Sequence, residues 1–122
     1  IAPVGGGDEQ DNSAFDAYWF IVDEPNGASV SISAGIFVHG EEFEAIGATT
    51  FEMTASGYLS LLAYYSGGWQ FAYEESEETP VQTKDSGNWA ERFPIAFVSL
   101  SSGAVSNIEQ LNIKEIRSTR LA

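Results

Sequence analysis

The side chains with most to offer chemically are one histidine, His39, a run of carboxylates at Glu74, Glu75, Glu77 and Glu78, and three aromatics, Trp69, Tyr73 and Trp89. Hydrolytic or transfer chemistry needs an activated nucleophile or a placed acid–base pair. His39 is followed at once by Gly40, so it reads as a strand-end residue beside a turn. No G-x-S-x-G elbow accompanies it. The chain has no cysteine, which removes disulfides, thiol catalysis and zinc–thiolate sites. A single histidine also argues against a transition-metal centre. The reading is of a non-enzymatic protein with no catalytic residue and no cofactor.

The carboxylates and aromatics support one alternative. Oxygen-rich loops hold calcium, and Asp8, Glu9, Asp11, Asn12 and Asp16 form a second acidic group beside the run at 74–78. No D-x-[DN]-x-[DN]-G loop organises either, so solvated charge is the default. "GGG" at 5–7 is followed by acids, the wrong sign for a phosphate loop. Trp69, Tyr73 and Trp89 are candidates for a sugar-stacking platform, although strand-borne aromatics more often serve a core or an interface. The alternative is therefore a monomeric carbohydrate-binding β-sandwich, calcium-dependent if the acidic loops bind the ion, with a host surface glycan as its partner.

The elements that must position these groups have a period of two. In "SVSISAG", Val30, Ile32 and Ala34 lie on one face and serines on the other. "EEFEAIG" sets Phe43 and Ala45 against Glu42 and Glu44, and "TFEMTAS" sets Phe51 and Met53 against polar neighbours. "WQFAYEE" lines up Trp69, Phe71 and Tyr73. Turns are expected at Pro25-Asn26-Gly27, around Gly40, at Gly67-Gly68 as a two-residue hairpin turn, and at Ser102-Gly103. Residues 74–88 read as a long exposed loop, with Trp89 at its end. Residues 1–14 read as a flexible Gly-rich acidic lead-in, with order from Phe15. The expectation is one all-β domain over 15–122: an antiparallel, jelly-roll-like β-sandwich of about eight to ten short strands, without substantial helix.

Three segments, 18–22, 58–65 and 93–100, are apolar on both faces. The last sets Phe93, Ile95 and Phe97 on one side and Ala96, Val98 and Leu100 on the other. Only one face of each sheet meets the core of a small sandwich, so either loops of the same chain or another subunit must cover the second faces. The second reading predicts a homo-oligomer, with Phe93, Ile95, Phe97 and Val98 as interface candidates.

Charge adds a second asymmetry. The chain carries a net charge of −13, which repels nucleic-acid phosphates. No apolar run reaches the ~20 residues of a membrane helix. Residues 1–108 hold sixteen acidic side chains against Lys84 and Arg92, whereas 109–122 hold Glu109 and Glu115 against Lys114, Arg117 and Arg120. A basic tail on an acidic body either folds back on its own domain or docks on a neighbouring copy, and the second reading makes Arg117 and Arg120 interface candidates.

The order of pieces from 28 to 112 resembles a pattern in appendage proteins of tailed bacteriophages. There a V-x-V-x-x-G strand leads to a hairpin with Gly at its tip, a threonine-rich strand and an s-G-x-x-y-l-x-l strand. An x-x-P-I-A-x-V strand, a d-G-x-I turn and an I-x-Q strand follow. Here the later pieces are Pro94-Ile95-Ala96-Phe97-Val98, Ser102-Gly103-Ala104-Val105 and Ile108-Glu109-Gln110. The resemblance implies a virion structural or adhesion domain of tail fibre, baseplate or capsid-attached fibre, usually trimeric, with other virion proteins as partners. It transfers no catalytic residue. Two departures stand out: "LNIKEIRSTRLA" replaces a Gly-rich continuation, and the acidity is not part of the pattern.

Overall fold

The computed structural model describes residues 18–80, 83–85 and 88–120. The lead-in read over 1–14, and the expected onset of order at Phe15, lie outside the described residues. Eleven strands follow in chain order: β1 (Val22–Asn26), β2 (Ser29–Ile32), β3 (Gly35–His39), β4 (Glu42–Ile46), β5 (Thr49–Glu52), β6 (Gly57–Tyr65), β7 (Trp69–Ser76), β8 (Thr83–Asp85), β9 (Asn88–Ser101), β10 (Ala104–Gln110) and β11 (Ile116–Arg117). No helix occurs among the described residues.

The strands form three sheets, ordered β1-β2-β5, β11-β3-β4 and β10-β9-β6-β7, with β8 paired to β9. Every pairing is antiparallel except β11 with β3. The sheets share one core. The first contributes Val22, Val30 and Ile32, the second Phe37 and Ile116, and the third Leu59, Leu61, Ala63, Ala96 and Val98. Phe37 carries the second sheet onto the third, with ring centroids 4.8 Å from Trp69, 5.1 Å from Phe71 and 6.1 Å from Phe93. Gln110, from the Ile-x-Gln segment, clips the first sheet to the third. Its Oε1 accepts from the Val22 amide at 2.8 Å, and its Nε2 donates to the Ile95 carbonyl at 3.4 Å.

Local chemistry explains the hairpins. Ser101 pairs with Ala104, leaving Ser102 and Gly103 as a two-residue loop, both at positive φ (54° and 77°). That is the left-handed pair that matches strand twist, and glycine adopts it without strain. At Gly67-Gly68 the turn is longer than expected. Tyr65 pairs with Trp69, so three residues, 66–68, connect β6 to β7.

Four other expectations are corrected. Residues 18–21 are not a strand: Phe20 sits at positive φ (58°) with its ring buried against Gly35. The segment from Asp23 to Asn26 belongs to β1, an edge strand, where Pro25 breaks no ladder. The loop expected over 74–88 is partly strand, since β7 runs to Ser76 and β8 pairs with Asn88–Ala90. In β4 the faces are reversed. Glu44 lies opposite the buried Phe37 and Ile46 packs on the core, while Phe43 points outward at 64% exposure.

Candidate functional site

The third sheet has two distinct faces, and a bulge decides what lies on each. Along β6, residues 61, 60 and 59 pair with Phe93, Pro94 and Ala96, so β9 takes one extra residue at Ile95. This shifts the alternation. Phe93 shares a face with Ala96 and Val98 rather than with Phe97, which corrects the face assignment expected over 93–100. Ile95 and Val98 are wholly buried and Phe93 packs on the core, so these three interface candidates lie inside the chain's own core. Phe97 points the other way, beside Tyr58, with ring centroids 5.0 Å apart at 86°.

That outer face runs along β6 as Tyr58, Ser60, Leu62 and Tyr64, and along β9 as Phe97, Pro94, Arg92 and Ala90, because directly paired residues point the same way. Leu62, Tyr64, Gln70 and Ala72 line a shallow groove of about 220 Å³. An ion pair between Arg92 and Glu74 crosses the face. In its floor Ser60 is buried and its hydroxyl has no hydrogen-bond partner. The large apolar groups are only half-buried, so the sheet is apolar on both sides and covered on one.

On the inner face, the end of the sheet carries a row of aromatics. Tyr65 on β6 pairs with Trp69 on β7 and with Trp89 on β9. Trp69 also meets Phe37, Phe71 and His39, the last at 5.4 Å. Tyr73 lies farther in, with its hydroxyl buried and unpartnered, and burial pushes its pKa up to about 12. The three stacking candidates therefore sit on the inner side, half-buried, with their rings engaged by their own chain. His39, on the second sheet, pairs through Nε2 with Glu44 at 2.9 Å.

One residue that sequence reasoning missed organises this end. Glu91 is wholly buried, one pair along β9 from Trp89 and opposite Ala63. Its carboxylate accepts from Trp89 Nε1, from the Ser118 hydroxyl at 3.1 Å, and from Thr119 through its amide at 3.1 Å and its hydroxyl at 3.0 Å. No cation pairs with it among the described residues. The tail thus crosses the row as a strap over its own domain. Ile116 is buried beside Phe37, Ser118 and Thr119 hold Glu91, and the Arg120 guanidinium lies 4.0 Å from the Tyr65 ring centroid. Arg117, the other basic candidate, points outward and pairs with Glu115 at 2.7 Å. It borders a groove of about 340 Å³ that includes Val38 and the exposed Phe43.

No family model and no curated protein matches this sequence. The chemistry of the site must be read from its own residues. Among the described residues, no group of three or more His, Asp or Glu is placed to hold a metal ion. His39 and Glu44 lie together, but no hydroxyl is hydrogen-bonded to His39 as a nucleophile requires. What the arrangement offers is surface: an apolar sheet face, the grooves beside Leu62 and beside Arg117, and a strapped carboxylate.

Proposed function

We propose that this chain is a non-enzymatic structural domain of a virion appendage, and that it assembles as a homotrimer through the outer face of the β10-β9-β6-β7 sheet. The observation that carries the reading is the side chains on that face. Tyr58, Leu62, Tyr64, Pro94 and Phe97 stand on a sheet whose other side already holds the core. Burying large apolar side chains is worth about 1.5–3 kcal/mol each, which favours a partner with the same face. A closed ring of copies presents one patch around one axis. The phage assignment rests on the resemblance over residues 28–112, and the Ser102-Gly103 turn and the Gln110 clip give its motifs structural work.

Sedimentation equilibrium of the chain across the micromolar range tests this reading. A mass of three times 13.2 kDa is expected. A single species at 13.2 kDa throughout would count against assembly.

A further inference from the structure

The clamp at Glu91 is incomplete without an occupant. A wholly buried carboxylate with no cation paired to it among the described residues depends on its hydrogen bonds, and removing them exposes the full desolvation cost of the charge. Among the described residues, every donor to Glu91 apart from Trp89 comes from Ser118 and Thr119. The receptor on β9 and β6 must therefore be filled by a segment with that sequence of hydroxyls, amide and guanidinium.

Nothing in those contacts requires the segment to come from the same chain. Gln110 is fixed at both ends of its amide, and Ile116 is the next buried anchor. Between them the Leu111 and Asn112 amides donate to the Ile95 carbonyl at 2.9 and 3.3 Å, and the Ile113 carbonyl accepts from the Trp19 amide at 2.9 Å, so the segment is held as far as Ile113. The strap leaves the body at the exposed Lys114 and Glu115, where Asn112 caps Lys114. The strap is basic and the body it leaves is strongly acidic, so a second copy's body attracts it as its own does.

Resting on the assembly reading above, we infer that copies exchange their straps: Ile116–Arg120 of one chain occupies the Glu91–Tyr65 receptor of the next. The partner in this interaction is a second copy of this chain, recognised through a Ser-Thr-Arg segment. Each receptor then becomes a site completed by its neighbour, and the same hydrogen bonds that tie the strap down in one chain tie two chains together.

The test uses the register of β11 on β3, where Arg117 lies opposite Val38. Adjacent strands bring paired Cα atoms about 5 Å apart, within the range a disulfide spans. The chain has no native cysteine, so the background is clean. V38C and R117C chains are mixed, denatured, refolded together and oxidised, and R117C with Q70C serves as the collision control. Exchange predicts a V38C–R117C linked dimer at least fivefold above that control. It also predicts linked oligomers from the double variant. A dimer band no stronger than the control, or a double variant that forms only intrachain disulfides, overturns the inference. Light scattering on the same samples separates the two ideas. Trimers with intrachain links sink exchange and keep assembly, and a 13.2 kDa species sinks both. Interchain links that persist in an L62E background keep exchange and sink the sheet face as the contact.

Discussion

Thr119 holds the Glu91 carboxylate with both its amide, at 3.1 Å, and its side-chain hydroxyl, at 3.0 Å. This pair joins the end of the strap to the longest strand, near the start of β9, and buries a carboxylate that no cation pairs with among the described residues. Glu91→Ala removes the charged acceptor shared by Trp89, Ser118 and Thr119. A hydrogen bond to a charged group is worth about 1.5–3 kcal/mol, so urea unfolding should show a loss of at least that size. A change under ~0.5 kcal/mol would show that the clamp holds nothing. Arg120→Ala removes a cation over an aromatic ring and should cost less, about 0.5–1 kcal/mol.

Phe20 and Gly35 give a steric prediction. A Cβ on Gly35 would meet the Phe20 ring at 2.2 Å, and that ring is buried. Gly35→Ala overpacks the site and should destabilise by about 1–3 kcal/mol in thermal or urea unfolding. Adding Phe20→Leu should recover part of that loss. If the two changes are simply additive, the ring is not what the new methyl meets.

Two buried hydroxyls, on Ser60 and Tyr73, have no hydrogen-bond partner among the described residues. Removing an unsatisfied polar group relieves its desolvation cost, so Tyr73→Phe and Ser60→Ala should be neutral or stabilising by up to ~1 kcal/mol. A loss above ~1 kcal/mol in either variant contradicts this.

Tyr73 also sets an alkaline limit. Burial raises its pKa from an ordinary value near 10 to about 12, because the phenolate is the form that burial disfavours. Between these values the unfolded chain releases the proton and the folded chain keeps it. Stability contributed by the neutral phenol is complete below pH 10 and is lost as pH rises toward 12. Absorbance at the phenolate band should show Tyr73 titrating late, and Tyr73→Phe should abolish that step and flatten the stability profile over the same window.

Much of this architecture is legible in the sequence. Alternation in "SVSISAG" places Val30 and Ile32 inward, where they are buried, and Ser102-Gly103 marks a hairpin turn that forms as expected. The departures from expectation have separate physical causes. Alternation assumes an uninterrupted ladder, and one extra residue at Ile95 reverses the faces beyond it, which is why Phe93 and Phe97 part company. In β4, which lies at a sheet edge, the pattern names two faces without saying which meets the core, and Phe43 takes the outside. Glu91 had a signal that went unread. In "WAERF" it shares parity with Trp89 and Phe93, so an acid sits on an apolar face. Its partners, twenty-seven and twenty-eight residues away, carry no mark in the sequence.

Two exposed apolar patches give the assembly proposal an internal control. Leu62 lies on the outer face of the large sheet, and Phe43 lies on the outer face of β3-β4 beside Arg117. The same charge placed at either should be equally soluble, but only one should break the trimer. Multi-angle light scattering of the native chain, Leu62→Glu and Phe43→Glu, with circular dichroism to verify folding, is the most direct measurement. Three times 13.2 kDa is expected for the native chain and Phe43→Glu, and 13.2 kDa for Leu62→Glu. A folded Leu62→Glu that keeps the native mass, or a native chain already at 13.2 kDa, would contradict the assembly proposal.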